Sequence, residues 1–203
     1  INGNEKVIIS QERSAYNIPM VFNNKKTSCK FSLTCEIRTV LEYDYVMPKI
    51  SSIKITNNDG IFNNTIKVSL PHLKLEIPLF VIFKALGCIS DKEIIYFIIN
   101  NDGSELDKTF IKILYLSIQE ARDITSEPEA LQYISKYINN ISYNLNDDKK
   151  IEYVKNRVLK DYLSHLKTDL SKLYITGRMV HKLLKWNLNI SDVDDRDSYI
   201  NKR

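Results

Sequence analysis

Lys30-Phe31-Ser32-Leu33-Thr34-Cys35-Glu36-Ile37-Arg38 is the stretch that decides the architecture. Phe31, Leu33, Cys35 and Ile37 alternate with polar neighbours, the period-two pattern of a strand with one buried face. Ile53 and Ile55, then Ile66, Val68 and Leu70, repeat the alternation downstream. Between them, Asn57-Asn58-Asp59-Gly60 supplies residues that tolerate the left-handed backbone of a hairpin connection. Upstream, Lys6 to Ser10 is a short β-branched run that reads as a further strand. An antiparallel β meander is therefore expected in the N-terminal part.

Around Pro71 the period changes. Pro78 suits a first helical turn, and Gly87 suits the C-terminal cap of the short helix that follows. Ser90 with Glu93, and Ser126 with Glu129, have the spacing of capping boxes, and Pro128 fits a first turn. Leu106 to Ala121 is apolar on several faces, which predicts a helix buried between layers. Ile151, Val154, Val158, Leu159, Leu163 and Leu166 mark an amphipathic helix. From Leu170 onward, Leu173, Tyr174, Gly177, Val180 and Leu184 form one stripe, with Lys172, Arg178, Lys182 and Lys185 outside it. A mid-helix glycine costs up to about 1 kcal/mol against alanine, so Gly177 points to close helix packing. Strands first and helices after them make the fold class α+β, with a mostly helical C-terminal part.

The chain has 203 residues, 43% apolar and 27% charged, with a net charge of +4, which fits one ordinary globular domain. The longest apolar run, Ile77 to Leu86, is broken by Lys84 and falls short of the roughly 20 residues of a membrane span. Cys29, Cys35 and Cys88 are odd in number and lack metal-knuckle spacing, which suits a reducing, intracellular setting. The N-x-S/T triplets at Asn63, Asn140 and Asn189 are expected by chance in an Asn-rich chain. Between Lys149 and Lys185 ten basic residues face three acids, Glu152, Asp161 and Asp169. Such a stretch serves either as a solvated helix face or as a phosphate-binding surface.

No Walker A, GxGxxG, HExxH or nucleophile-elbow pattern occurs, and His72, His165 and His181 have no ligand-like spacing. Asp192, Asp194, Asp195 and Asp197 could hold Mg²⁺ on an extended backbone, but a run of Asp equally suits a helix start or an ion-pair network. The residues alone thus give an α+β domain with a basic flank and no named reaction.

A resemblance adds to this. Ile1 to Arg13 (Ile-Asn-Gly-Asn-Glu-Lys-Val-Ile-Ile-Ser-Gln-Glu-Arg) resembles a stretch of the second-largest subunit of multisubunit DNA-directed RNA polymerases. Glu36-Ile37-Arg38, Ile77 to Gly87, Ser90 to Ile94, and Asp194 to Arg203 resemble further family segments in the same order. The chain departs from the usual pattern at Ser164, at Ser198 and Ile200, and around Tyr174 to Gly177. The motif style is eukaryotic, archaeal or viral, and the Asn, Ile, Lys and Tyr richness fits an AT-rich genome such as that of a large DNA virus.

The resemblance implies residues 1–15 as the end of a protrusion domain, 16–193 as the lobe, and 194–203 as the start of a return into the protrusion or fork region. The lobe forms part of the DNA cleft wall, carries no catalytic group and needs no cofactor of its own. The Mg²⁺ of the parent nucleotidyltransferase would be held mainly by aspartates of the largest subunit. Implied partners are that subunit, the other polymerase subunits, template DNA and transcription factors docking on the lobe, but no membrane. Implied locations are the nucleus, or host cytoplasm and virion for a viral enzyme. Lys6, Arg13, Lys202 and Arg203 are the implied phosphate contacts, positioning the nucleic acid without reading bases. Alternatives are a stand-alone nucleic-acid-binding module using the basic helices, or a protein-interaction module. A surface ion pair of Lys6 or Arg13 with Glu5 or Glu12 is the competing expectation for the first two residues.

Overall fold

A computed structural model describes residues 2–23, 30–41, 47–58, 60–99, 104–138, 146–191, 194 and, for the backbone, 200–202. The core is a five-stranded antiparallel meander in chain order: β2 (Met20–Asn23), β3 (Phe31–Thr39), β4 (Lys49–Thr56), β5 (Ile66–Ser69) and β6 (Ile77–Pro78). β1 (Glu12–Ser14) belongs instead to a two-stranded ribbon with β7 (Ile200–Lys202). On β3 the alternation is realised as expected, with Leu33, Cys35 and Ile37 buried and Arg38 exposed. Burial pushes the Cys35 thiol up to about 12, so Cys35 acts as a small apolar residue. Burial, then Glu93, pushes the Cys88 thiol up to about 11. Both cysteines are free, and Cys29 lies outside the described residues.

The β4–β5 connection is longer than a tight turn. A 3₁₀ turn at Ile61–Asn63 fills it, and Gly60 adopts φ 93°. Lys6 to Ser10 is not a strand. Val7, Ile8 and Ile9 are 91%, 96% and 83% exposed. Their β propensity needs a partner strand to act on, and none lies beside them among the described residues.

The helices are α1 (Leu79–Ala85), α2 (Asp91–Ile98), α3 (Glu105–Glu120), α4 (Glu127–Ser135), α5 (Asp147–Tyr153), α6 (Leu159–Asp161) and α7 (Asp169–Asn187). Pro78 is the residue before α1 and pairs with Lys67, so it sits outside the first turn. Gly87 closes α1 at φ 95°. The Cys88 amide donates to the Phe83 carbonyl at 3.0 Å and the Gly87 amide to the Lys84 carbonyl at 3.1 Å, which is a Schellman cap.

Neither expected capping box closes. Ser90 and Ser126 occupy the N-cap positions of α2 and α4, but their side chains make no cap hydrogen bond. Glu93 takes a weak hydrogen bond from Cys88 Sγ at 3.7 Å instead. Glu129 takes the Thr125 amide at 2.8 Å and the Thr125 hydroxyl at 3.1 Å, one residue upstream of the expected partner.

Helix α3 is amphipathic rather than buried between layers. Phe110, Ile113 and Leu114 are buried, while Leu106, Ile111 and Tyr115 are exposed. Solvent takes the face on which these last residues lie. The expected helix over Ile151 to Leu166 exists in pieces, α5 and α6 joined by a π-helical turn at Val154–Val158 and ending at Asp161.

Two buried lysines tie these helices together. Lys84, 4% exposed, donates to the Ala121 carbonyl at 2.9 Å and the Ile124 carbonyl at 2.7 Å, fixing α1 to the turn after α3. Lys172 is buried on α7, where the stripe pattern expected a surface residue. It donates to the Leu159 carbonyl at 2.6 Å, and burial lowers its pKa. Tyr174, expected in the core stripe, is exposed. Thr176 takes the interior position, donating to the Lys172 carbonyl at 2.7 Å and so accepting from the buried Tyr162 hydroxyl at 2.8 Å.

Gly177 marks the crossing of α2 and α7, as its place in the sequence implied. A Cβ there would stand 2.2 Å from the Phe97 carbonyl oxygen and 2.7 Å from its carbon. Backbone cannot yield as a flexible side chain does, so overpacking should outweigh the gain in helix propensity of about 1 kcal/mol. Gly177→Ala is expected to lower stability by about 3 kcal/mol in urea unfolding. Unchanged or higher stability would contradict this crossing.

Candidate nucleic-acid interface

The ribbon joins the two ends of the described chain. Glu12 stands opposite Lys202, Arg13 opposite Asn201 and Ser14 opposite Ile200. Two of the four sequence candidates, Arg13 and Lys202, are therefore on adjacent strands but one register step apart, with Lys202 opposite Glu12 rather than Arg13. The Arg13 guanidinium lies 4.4 Å from the centre of the Tyr16 ring, and its Nη1 donates to the Tyr16 hydroxyl at 3.3 Å. Stacking on a ring face holds the planar group while its remaining N–H donors stay available for a phosphate. Tyr16 was not singled out in the sequence; its signal is the i, i+3 spacing from Arg13.

Lys6 lies on the exposed segment ahead of the ribbon. Among the described residues, neither Lys6 nor Arg13 forms an ion pair with Glu5 or Glu12, the competing expectation for both. Arg203, and the side chain of Lys202, lie outside the described residues.

The ribbon lies in sequence beside a second tie. Asp194 accepts from Lys182 Nζ at 2.6 Å and from the Val21 amide at 2.8 Å. It is thus an ion-pair anchor between α7 and β2, one of the expectations for the aspartate run. Asp192, Asp195 and Asp197 lie outside the described residues. Among the described residues no group of three His, Cys, Asp or Glu side chains is placed to hold a metal ion.

Much of the basic flank is already used. Lys150 pairs with Asp147 at 2.9 Å, Lys155 with Glu127 at 3.1 Å and Arg157 with Asp161 at 3.9 Å. With Lys172 buried and Lys182 on Asp194, the cations lacking a carboxylate partner among the described residues are Lys149, Lys160, Lys167, Arg178 and Lys185. These are distributed along α5, α6 and α7 and the connection between the last two.

The sequence description "RNA polymerase Rpb2, domain 2" matches residues 7–203. The chain belongs to this family. The DNA-directed RNA polymerase II subunit RPB2 of Encephalitozoon cuniculi is 36% identical over 207 residues, covering 100% of this chain and 17% of that relative. The corresponding subunit of Eremothecium gossypii is 35% identical over 208 residues, covering 100% of this chain and 16% of the relative. An archaeal relative, the DNA-directed RNA polymerase subunit Rpo2 of Sulfolobus acidocaldarius, is 30% identical over 207 residues, again covering 100% and 17%. The chain spans about a sixth of the length of these curated relatives.

Within this Rpb2 domain, the family-like segments of the sequence fall on structural joints. Ile77 to Gly87 is the last strand of the sheet plus α1 and its cap, and Ser90 to Ile94 begins α2. Asp161 is a further joint, found by no sequence signal. Its carboxylate takes Lys49 from β4 and His72 Nε2, the latter at 2.6 Å. Burial alone would push its pKa up, but the hydrogen bonds from Lys49 and His72 win and hold it below the usual carboxylate range.

A depressed folded-state pKa contributes stability that is present above the unfolded value and lost as pH falls through the folded one. Wild-type protein should therefore exceed Asp161→Asn in stability near neutrality, with the gap closing below about pH 4. Urea unfolding of both proteins across that range is the check, and a gap independent of pH would contradict the assignment.

Proposed function

We propose that this chain is the lobe of a second-largest RNA polymerase subunit, a non-catalytic block forming part of the wall of the DNA cleft. The observation that carries the reading is the family match over residues 7–203, on an α+β fold whose end segments pair with each other. That pairing supports the proposed division into residues 1–15, 16–193 and 194–203. β1 and β7 join one another in a separate ribbon, as neighbouring parts of an adjoining domain would.

In this reading the parent enzyme extends RNA on a DNA template, with partners in the largest subunit, the other polymerase subunits and lobe-docking transcription factors. Eukaryotic relatives carrying the RNA polymerase II name support a nuclear location, and a viral enzyme would work in host cytoplasm or virion. Asp194, from the aspartate run, and the buried Asp161 do not fit the enzyme's Mg²⁺. Asp194 and Asp161 are each committed to a lysine and a second donor. That the metal is held mainly by the largest subunit is part of the proposal.

Lys6 and Arg13 are the proposed phosphate contacts, with Lys202 and Arg203 as further candidates. Such contacts hold the backbone of DNA and release counterions. In a polymerase assembled with the complete subunit, Lys6→Glu combined with Arg13→Glu should leave subunit copurification intact. Binding to DNA, titrated against salt, should lose about one unit of log–log slope per contact removed. An unchanged slope would count against the ribbon as a nucleic-acid surface. RNA synthesis by these 203 residues alone would overturn the non-catalytic reading.

A further inference from the structure

Between α2 and α7 lies an open cleft of about 660 Å³, entered past Ile18 and Pro19. Along α7, Tyr174, Arg178, His181 and Lys185 face it, joined by Lys182. These positions follow a single stripe about 16 Å long. At its N-terminal end the cleft meets an apolar shelf of about 500 Å³ formed by Leu166, Leu170 and Ile175. Phe97 and Tyr174 line both spaces, so the two adjoin. Tyr96, Leu170 and Tyr174 are large apolar groups left exposed around this surface.

Charge selects the occupant. No Asp or Glu lines either space. Arg178 lies over the Tyr174 ring and donates to its hydroxyl, and among the described residues neither Arg178 nor Lys185 has a carboxylate partner. Cations without carboxylates favour an anionic ligand. The aliphatic shelf separates peptide from nucleic acid. A base laid on Leu166, Leu170 and Ile175 would lose water from its polar edge, with only Ser171 and the Tyr174 hydroxyl, already bonded to Arg178, nearby to replace it. An apolar side chain loses nothing there.

We propose that the α2–α7 cleft is a docking groove for an acidic linear segment of a partner protein. The segment's apolar anchor sits on the Leu170 shelf, and its carboxylates follow the stripe from Arg178 to Lys185. An extended peptide of about five residues matches that length. The groove uses none of the ribbon residues, so it goes beyond the cleft-wall reading and stands or falls separately from it.

The test is fluorescence polarisation on the 203-residue chain, with a short labelled peptide of Asp and Glu around a central Phe-Leu pair. Saturable binding is expected, weakened by salt. Arg178→Glu with Lys185→Glu should weaken it at least tenfold, and Leu170→Asp about fivefold; all three positions are on the surface, and circular dichroism checks that the variants are folded. The Lys6→Glu and Arg13→Glu protein should bind the probe like wild type, which separates this groove from the ribbon. No saturable binding, or binding unaffected by both groove variants, overturns the proposal. So does a single-stranded oligonucleotide that binds in a groove-dependent way and displaces the peptide.

Discussion

A single row of side chains crosses every strand of the large sheet. Val21 stands opposite Cys35, Cys35 opposite Ile53, Ile53 opposite Val68 and Val68 opposite Ile77. All five are buried. A slip of one residue in β3, β4 or β5 would turn an apolar side chain outward and bring in a polar neighbour (Thr34 or Glu36, Ser52 or Lys54, Lys67 or Ser69), so the row locks the register of the central strands. Each buried aliphatic in it is worth about 1.5–3 kcal/mol. Its last member, Ile77, immediately precedes Pro78 and α1. The register of the sheet therefore fixes where the helical layer begins.

From α1 outward, the helices are held by polar ties set into apolar packing. Lys84 serves two carbonyls beyond α3, Lys172 serves the Leu159 carbonyl, and Asp161 gathers Lys49 and His72. Removing one partner from such a tie leaves a buried polar group or charge unpaired, which costs more than the bond contributes. At Gly177 the helices approach until backbone meets backbone. The result is a block in which α7, lying against β2 and β3, presents a cationic stripe outward on one side.

The meander could be read from the sequence because one face of the sheet is solvated, which imprints period two on β3, β4 and β5. The Gly87 cap and the Gly177 crossing could be read because each depends on the absence of a side chain. The buried lysines could not, since their burial depends on carbonyls far away in the chain. Lys172 even follows the pattern of a surface residue. The capping boxes failed for a local reason: Glu93 turns to Cys88 and Glu129 chiefly to Thr125, both ahead of the cap residue. Lys6 to Ser10 has strand composition without a strand partner among the described residues. At the candidate interface, charge marked Arg13, but only the fold shows it stacked on Tyr16 and next to β7. The anchoring role of Asp194 depends on Lys182 and Val21, and nothing in its own neighbourhood announces it.

In the proposed reading, this Rpb2-family domain is a folded block that lends shape and positive potential to a larger machine. A density map of the complete polymerase engaged on DNA tests this most directly. The account predicts the sheet and helices unchanged, the β1–β7 ribbon continuing into an adjoining domain, and Arg13 within hydrogen-bonding reach of a backbone phosphate. A divalent ion held wholly by side chains of this chain, or a ribbon facing away from nucleic acid, would contradict it.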